Sequence, residues 1–242
     1  MSVNSSSNTG SGLWRQQFVN AVLAASYICQ SPLETLRWAH HSDQRRRVKQ
    51  YEIDLEEVFP GIFNLSVTIA AALGLPGEAF DQDLLYLCLI AKYRDAKRLL
   101  EIGTFLGRTS LNLANNTATD AHVYTVDDGQ YDAGIKKNSE DVGKRFRGSP
   151  VAAKITQIIS KSQDLDLKSY GPFDFVFIDG DHSYDSARKD TLKCLALGNN
   201  GVMFWHDYAL SEGVTQWLDE LRSTGLDIVA LRGSILAMYV KR

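Results

Sequence analysis

The chain has 242 residues, 44% hydrophobic and 23% charged, with a formal net charge of -3 and a sequence pI near 6.0. That composition suits one substantial globular domain with an appendage, and it lacks the concentrated basic face that a nucleic-acid partner requires. Cys29, Cys88 and Cys194 are too few and too scattered for a disulfide framework or a metal-binding cluster, which points to a reducing compartment. No apolar run approaches the roughly 20 residues that cross a bilayer, so the expected setting is the cytoplasm, away from membranes.

Ser2 to Gly12 is almost wholly Ser, Asn, Thr and Gly, and residues 1–12 are predicted to form a disordered tail. Phe18 to Ile28 is apolar enough to suggest a secretory leader. It contains Asn20, however, follows a Ser/Asn-rich rather than a basic stretch, and runs into Gln30-Ser31-Pro32; a buried helix is the better reading. The basic run Arg45-Arg46-Arg47-Val48-Lys49 is followed closely by Glu52, Asp54, Glu56 and Glu57, which marks a solvated segment.

Residues 13–95 show helical spacing at Trp14/Phe18/Val22, Leu33/Leu36 and Leu84/Leu85/Cys88/Leu89, with no strand-like alternation. Pro32, Pro60, Pro76 and Gly77 divide them into short helices. This stretch is expected to be a helical extension without chemistry of its own. It would serve as a lid or as a dimer surface of a homo-oligomer.

From residue 96 to 242 short apolar strands alternate with helices. Strands are predicted at Leu99–Ile102, Val123–Val126, Ile155–Ile159, Phe173–Ile178 and Val202–Trp205, with helices over Ser183–Leu197 and Val214–Leu221. Continuous apolar runs of this kind fit strands covered on both faces of a parallel sheet. Between Asp227–Leu231 and Ile235–Val240 there is room only for Arg232-Gly233-Ser234, so the last two strands should form an antiparallel hairpin. The fold class is therefore α/β, Rossmann-like, and mostly parallel.

The first strand of this domain runs L-L-E-I-G-T-F-L-G, with Arg108-Thr109-Ser110 opening the next helix. Gly103 supplies the backbone freedom of a tight turn. The helix start that follows offers free N–H groups to an anionic ligand. Glu101, Gly103, Thr104, Phe105, Gly107 and Thr109 are thus the candidate cofactor cradle. Asp127, at the end of the second strand, is placed to hold a ribose diol. Phe105 stands where a dinucleotide fingerprint needs glycine, which favours a cofactor without a diphosphate over a nicotinamide nucleotide.

With the E-x-G turn, the acidic end of strand two and the closing hairpin, the sequence resembles the class I S-adenosylmethionine-dependent methyltransferases from about Tyr93 to Arg242. The resemblance implies that Gly103 approaches the methionine part of S-adenosyl-L-methionine and that Asp127 binds its ribose. It also implies that Ser162 and Gln163 lie beside the adenine.

A second polar group lies in F-D-F-V-F-I-D-G-D-H-S-Y, where Asp179, Asp181, His182 and Tyr184 follow the fourth strand. His206-Asp207-Tyr208 follows the fifth. Ligands of open parallel sheets bind outside the carboxyl ends of strands, so adjacent strand ends should bring Asp179, His206 and Asp207 together as ligands for a divalent cation. Taken singly, each residue has a structural alternative. Asp181 could cap the helix near Ser183, either histidine could be a hydrogen-bonded core residue, Tyr184 could pack on the sheet edge, and Asp185 and Asp190 read as solvated helix positions.

These segments resemble the metal-dependent O-methyltransferases that act on sugars of macrolide and aminocoumarin natural products. That resemblance implies Asp179, with the cofactor beside it, His206 and Asp207 as ligands of Mg2+ or Mn2+, and Asp181 as base, with His182 as the other candidate catalytic group. His206 stands where those enzymes carry a carboxylate. The expected reaction is methyl transfer to a hydroxyl of a small sugar, diol or catechol-like molecule. The alternatives are a metal-free O- or N-methyltransferase with His182 as base, and a non-catalytic cofactor-binding partner protein.

Overall fold

The computed structural model describes residues 48–71, 74–75, 77–130, 139–197 and 201–240. The predicted tail, the Phe18–Ile28 helix, the patterns at Trp14–Val22 and Leu33–Leu36, the basic residues Arg45–Arg47 and residues 131–138 lie outside them. Among the described residues eight strands form one sheet: β1 Glu52–Ile53, β2 Arg98–Ile102, β3 His122–Asp127, β4 Ile155–Ile159, β5 Phe175–Ile178, β6 Val202–Trp205, β7 Ile228–Leu231 and β8 Ala237–Val240. The helices among the described residues are α1 Leu55–Val58, α2 Asp81–Tyr93, α3 Arg108–Asn116, α4 Tyr184–Ala196 and α5 Glu212–Ser223, with several short 3-10 turns between them.

The strand order is β1-β7-β8-β6-β5-β2-β3-β4. All pairings are parallel except those of β8 with β6 and β7, so the predicted terminal hairpin is present. This is the Rossmann-like sheet that the strand runs imply. Observed strand limits fall within two residues of the predicted ones, and β6, buried along its whole length, coincides with its predicted range.

Alternation along the strands separates two cores. Leu100, Ile102, Val176, Ile178, Met203 and Trp205 pack with α4 and α5 on one side. Leu99, Phe175, Phe177, Val202 and Phe204 pack with α2 and α3 on the other. Each large side chain buried this way contributes roughly 1.5–3 kcal/mol.

The expectation that residues 13–95 contain no strand is corrected by β1, which pairs with β7 through Glu52↔Ala230 and Ile53↔Leu231. Two residues are too few to show alternation. What holds β1 is tertiary: the Arg232 N–H donates to the Ile53 carbonyl at 3.0 Å, and the Arg232 guanidinium pairs with Asp54. Leu55, Phe59, Ile62 and Leu87 enter the same core as the sheet, so this part of the predicted extension packs onto the main domain.

Between α1 and α2 the backbone crosses α3 along a ladder of its side chains. The Asn116 amide accepts from Thr68 N–H at 2.8 Å and donates to its carbonyl at 2.9 Å. The Asn112 amide does the same with Ala70, at 2.7 and 3.0 Å. One turn nearer the helix start, buried Arg108 donates to the carbonyls of Ala71 and Ala79 and pairs with Asp81. Positions 108, 112 and 116 share a helix face, which explains how three side chains grip one strap. No described helix is long and apolar enough to cross a membrane.

Candidate active site

Strand order reverses between β2 and β5, and the loops leaving these two strands meet. The N–H of Gly103 donates to the Val126 carbonyl at 2.8 Å, and that of Asp179 to the Ile102 carbonyl at 2.7 Å. Gly103 has φ +104, and a Cβ added there would overlap the Asp179 carbonyl. Glycine is required here both for the left-handed backbone and for the close approach of the two strand ends.

The predicted cofactor residues fall into two depths. Glu101 and Thr104 lie beneath the turn. The Glu101 carboxylate, fully buried, accepts from Ser110 and, at 2.8 Å, from Thr125, while the hydroxyls of Thr104 and Thr125 share a 2.7 Å hydrogen bond. Burial pushes the Glu101 carboxyl up to about 8, although Ser110 and Thr125 pull the other way. Thr109 is buried in the first turn of α3. Nearer the surface, Phe105 takes φ 48, unusual for a bulky residue, and its N–H donates to Asp127 Oδ2 at 2.8 Å. Asp127 Oδ1 accepts from Gly129 N–H at 2.8 Å. Asp127 thus ties the end of β3 to the turn, and each carboxylate oxygen keeps acceptor capacity.

Gly107 caps α3 with φ 86, and a Cβ there would strike the Phe146 ring at 2.5 Å. The segment around Phe146 is hydrogen-bonded to the turn, with Gly143 and Arg145 N–H groups donating to the carbonyls of Phe105 and Leu106 at 2.9 Å. Ser162 and Gln163, after β4, reach Asp190 on α4 at 2.5 and 3.1 Å. Asp190 is buried, correcting its reading as a solvated residue. It sits on the helix face that covers the sheet, and desolvation raises its carboxyl despite those two donors. Asp185 is exposed, as expected.

Asp179, His206 and Asp207 do converge at the ends of β5 and β6. His206 Nδ1 lies 3.0 Å from Asp179 Oδ1 and 3.5 Å from Asp207 Oδ1. Asp207 takes φ 57, a strained conformation that for a non-glycine residue costs on the order of 1–3 kcal/mol and concentrates at functional sites. His182 joins the group, its Nε2 2.9 Å from Asp207 Oδ2 and 3.6 Å from Asp179 Oδ1. Ligand atoms of Asp179, His182 and Asp207 all lie within 4.8 Å of one another. The His182 side chain is 46% exposed, that of His206 only 7%.

Burial alone would lower both imidazoles. The Asp207 and Asp179 carboxylates overcome it, raising His182 to about 10 and His206 well above its usual value. In return, against the cost of burial, the two imidazoles hold Asp207 down at about 2 and hold Asp179 low. Asp181 does not enter the cluster. It is exposed, and accepts from Ser183 N–H and Oγ at 3.0 Å and from Ser186 Oγ at 2.7 Å. The helix cap proper is Ser183. Tyr184 meets Trp217 edge-on, at 6.1 Å between ring centroids, and donates to Glu220 at 2.5 Å.

One member of the site was not anticipated. Asp83, fully buried on α2, places Oδ2 3.1 Å from His206 Nε2. Its signal in the sequence is a carboxylate heading an apolar helical run, D-L-L-Y-L-C-L-I; a residue of the expected extension thus reaches the strand-end cluster.

Residues 100–208 match the protein family described as "Methyltransferase domain". Catechol O-methyltransferase of Mycobacterium tuberculosis is 33% identical over 97 residues, 40% of this chain and 41% of that protein. Probable caffeoyl-CoA O-methyltransferase 3 of Dictyostelium discoideum is 27% identical over 119 residues, 47% of this chain and 45% of that protein. The matched stretch thus spans less than half the length of these curated relatives. Among solved structures, the O-methyltransferase TomG of Streptomyces achromogenes, in complex with S-adenosylmethionine, superposes with a TM-score of 0.52 at 22% identity, covering 81% of this chain and 99% of that one. Residues 100–208 thus carry the likeness to a methyltransferase domain, and the fold is that of the methyltransferase structure on which the chain superposes.

Proposed function

We propose that this chain, with its class I methyltransferase domain, moves a methyl group from S-adenosylmethionine to a hydroxyl of a small molecule with the help of a divalent cation. The observation that carries the reading is the double engagement of Asp179. Its backbone closes against Gly103 in the cofactor turn, and its carboxylate faces His206 and His182. A methyl donor seated at the turn and an acceptor seated at the cluster then meet at one strand end. Holding the two in line is the largest gain available to a bimolecular displacement.

In this reading Asp127 receives the ribose hydroxyls, Gly103 the methionine part, and Ser162 and Gln163 flank the adenine. Asp179, His206 and Asp207 would hold a divalent ion: ligand atoms of Asp179 and Asp207 lie within 4.8 Å of one another, His182 shares that spacing, and His206 Nδ1 stands 3.0 and 3.5 Å from the two carboxylates; oxygen donors suit Mg2+ and the imidazole shifts the preference toward Mn2+. When bound, the ion polarises an acceptor oxygen and lowers its pKa. A cation held there would offset the Asp179 and Asp207 charge that keeps the His182 proton in place; His182 Nε2 would then take the hydroxyl proton and pass it to solvent through its exposed side chain. Asp181, already held by Ser183 and Ser186, shapes the loop that carries His182.

Two neighbouring oxygens on one acceptor would use the open positions best, which favours a vicinal diol of a sugar or a catechol, as in natural-product biosynthesis. The similarity to a catechol O-methyltransferase supports that class. The deciding assay incubates the full chain with labelled S-adenosylmethionine and catechol or vicinal-diol acceptors, before and after chelation. Transfer should vanish with EDTA and return with Mg2+ or Mn2+. Transfer indifferent to EDTA sinks the metal reading.

A further inference from the structure

We infer that Asp83 is a positioning residue of the proposed cation site, reaching in from α2 to fix His206 with Nδ1 turned toward Asp179 and Asp207. This rests on the metal reading above.

Asp83 lies among the buried α2 residues Leu84, Leu87, Cys88 and Ile90. A carboxylate so placed is costly unless its lone pairs are satisfied. Among the described residues, His206 is the side chain that hydrogen-bonds to it, at 3.1 Å through Nε2, while Oδ1 accepts from Ile235 N–H in the β7–β8 turn at 3.3 Å. Asp83 is therefore anchored to two elements, and its remaining function is to engage one imidazole nitrogen.

An imidazole has only two ring nitrogens. With Nε2 engaged by Asp83, Nδ1 is the one left for the cluster, 3.0 Å from Asp179 and 3.5 Å from Asp207. The rings of Phe80 and Phe177, each with its centroid 6.0 Å from that of His206, flank the imidazole and oppose its turning. A carboxylate holding the far nitrogen of a ligating histidine fixes both tautomer and orientation, and its loss weakens metal binding while leaving the ligands in place. The site is then assembled from both sides of the chain's midpoint: Asp83 from the N-terminal segment, His206 from the sheet.

The test is Mn2+ titration of the full chain, followed by electron paramagnetic resonance of the free ion, for wild type and Asp83→Asn. S-adenosylhomocysteine affinity, by calorimetry, is the control. The asparagine variant should bind Mn2+ about 10- to 100-fold more weakly while cofactor affinity stays within about twofold. Mn2+ affinity within about twofold of wild type would overturn the role of Asp83 alone. Absence of Mn2+ binding by wild type would overturn the metal reading together with it. If the variant does not fold, nitrogen-15 spectra of the wild-type histidines in the Mg2+-loaded protein decide: His206 protonated on Nε2 supports the inference, and His206 protonated on Nδ1 overturns it.

Discussion

The turn after β2 and the cluster after β5 and β6 lie side by side, yet they are held in opposite ways. At the turn, polar groups are satisfied by neighbours in the same β-α-β unit: Glu101 by Ser110 and Thr125, Asp127 by the N–H groups of Phe105 and Gly129. The cluster is held by charge between elements far apart in sequence, with Asp83, Asp179 and Asp207 around His182 and His206. The first arrangement gives each of these carboxylates a neutral hydrogen-bond donor close by in the chain. The second concentrates three carboxylates in a buried place, which suits a site whose charge balance changes on binding.

Removing a carboxylate from the cluster should therefore hit the reaction hardest. Asp207→Asn and Asp179→Asn should each lower methyl transfer by about 100-fold or more, since a cation's stabilisation of the transition state amounts to several kcal/mol. Steady-state kinetics at saturating Mg2+ checks this, and a loss under tenfold would put the chemistry elsewhere. Gly103→Ala attacks the seam between the two regions. The left-handed φ and the overlap with Asp179 should cost about 3 kcal/mol, read from urea unfolding; an unchanged midpoint would mean the strand ends need not touch.

A pH series separates the regions more finely. Glu101 titrates near 8 when folded and near 4.3 when unfolded. The folded state thus binds the proton more tightly, and the stability from this group is full at low pH and declines as pH rises through that window. Glu101→Gln should flatten the decline between about pH 4.5 and 8, measured by denaturant unfolding at each pH. An unaltered slope would show that Glu101 is ionised when folded. The smallest effect belongs to the strap: Asn116→Ala should cost about 1 kcal/mol and speed hydrogen exchange at Thr68, with methyl transfer preserved.

The same contrast explains what could be read from the sequence. Val123–Val126 and Val202–Trp205 announce themselves because buried parallel strands are uninterrupted apolar runs, and Gly103 because a turn between strand and helix is a local event. Asp179, His206 and Asp207 were legible through the topology that sets strand ends side by side. The two-residue β1 has no periodicity to detect. Asp190 looks like any polar helix residue until the sheet covers it. Asp83 was missed because its partner is 123 positions away, and the helical pattern around it reports only which face is buried.

The ladder on α3 has a consequence for how this chain can change. Asn112 and Asn116 grip the main-chain amides of Thr68 and Ala70, not their side chains. Docking of that kind is blind to side-chain identity: any residue but proline at 68 and 70 can keep the same four hydrogen bonds. Positions 68 and 70 are thus open to drift or to engineering, while a proline at either would unfasten the strap that leads to Asp83.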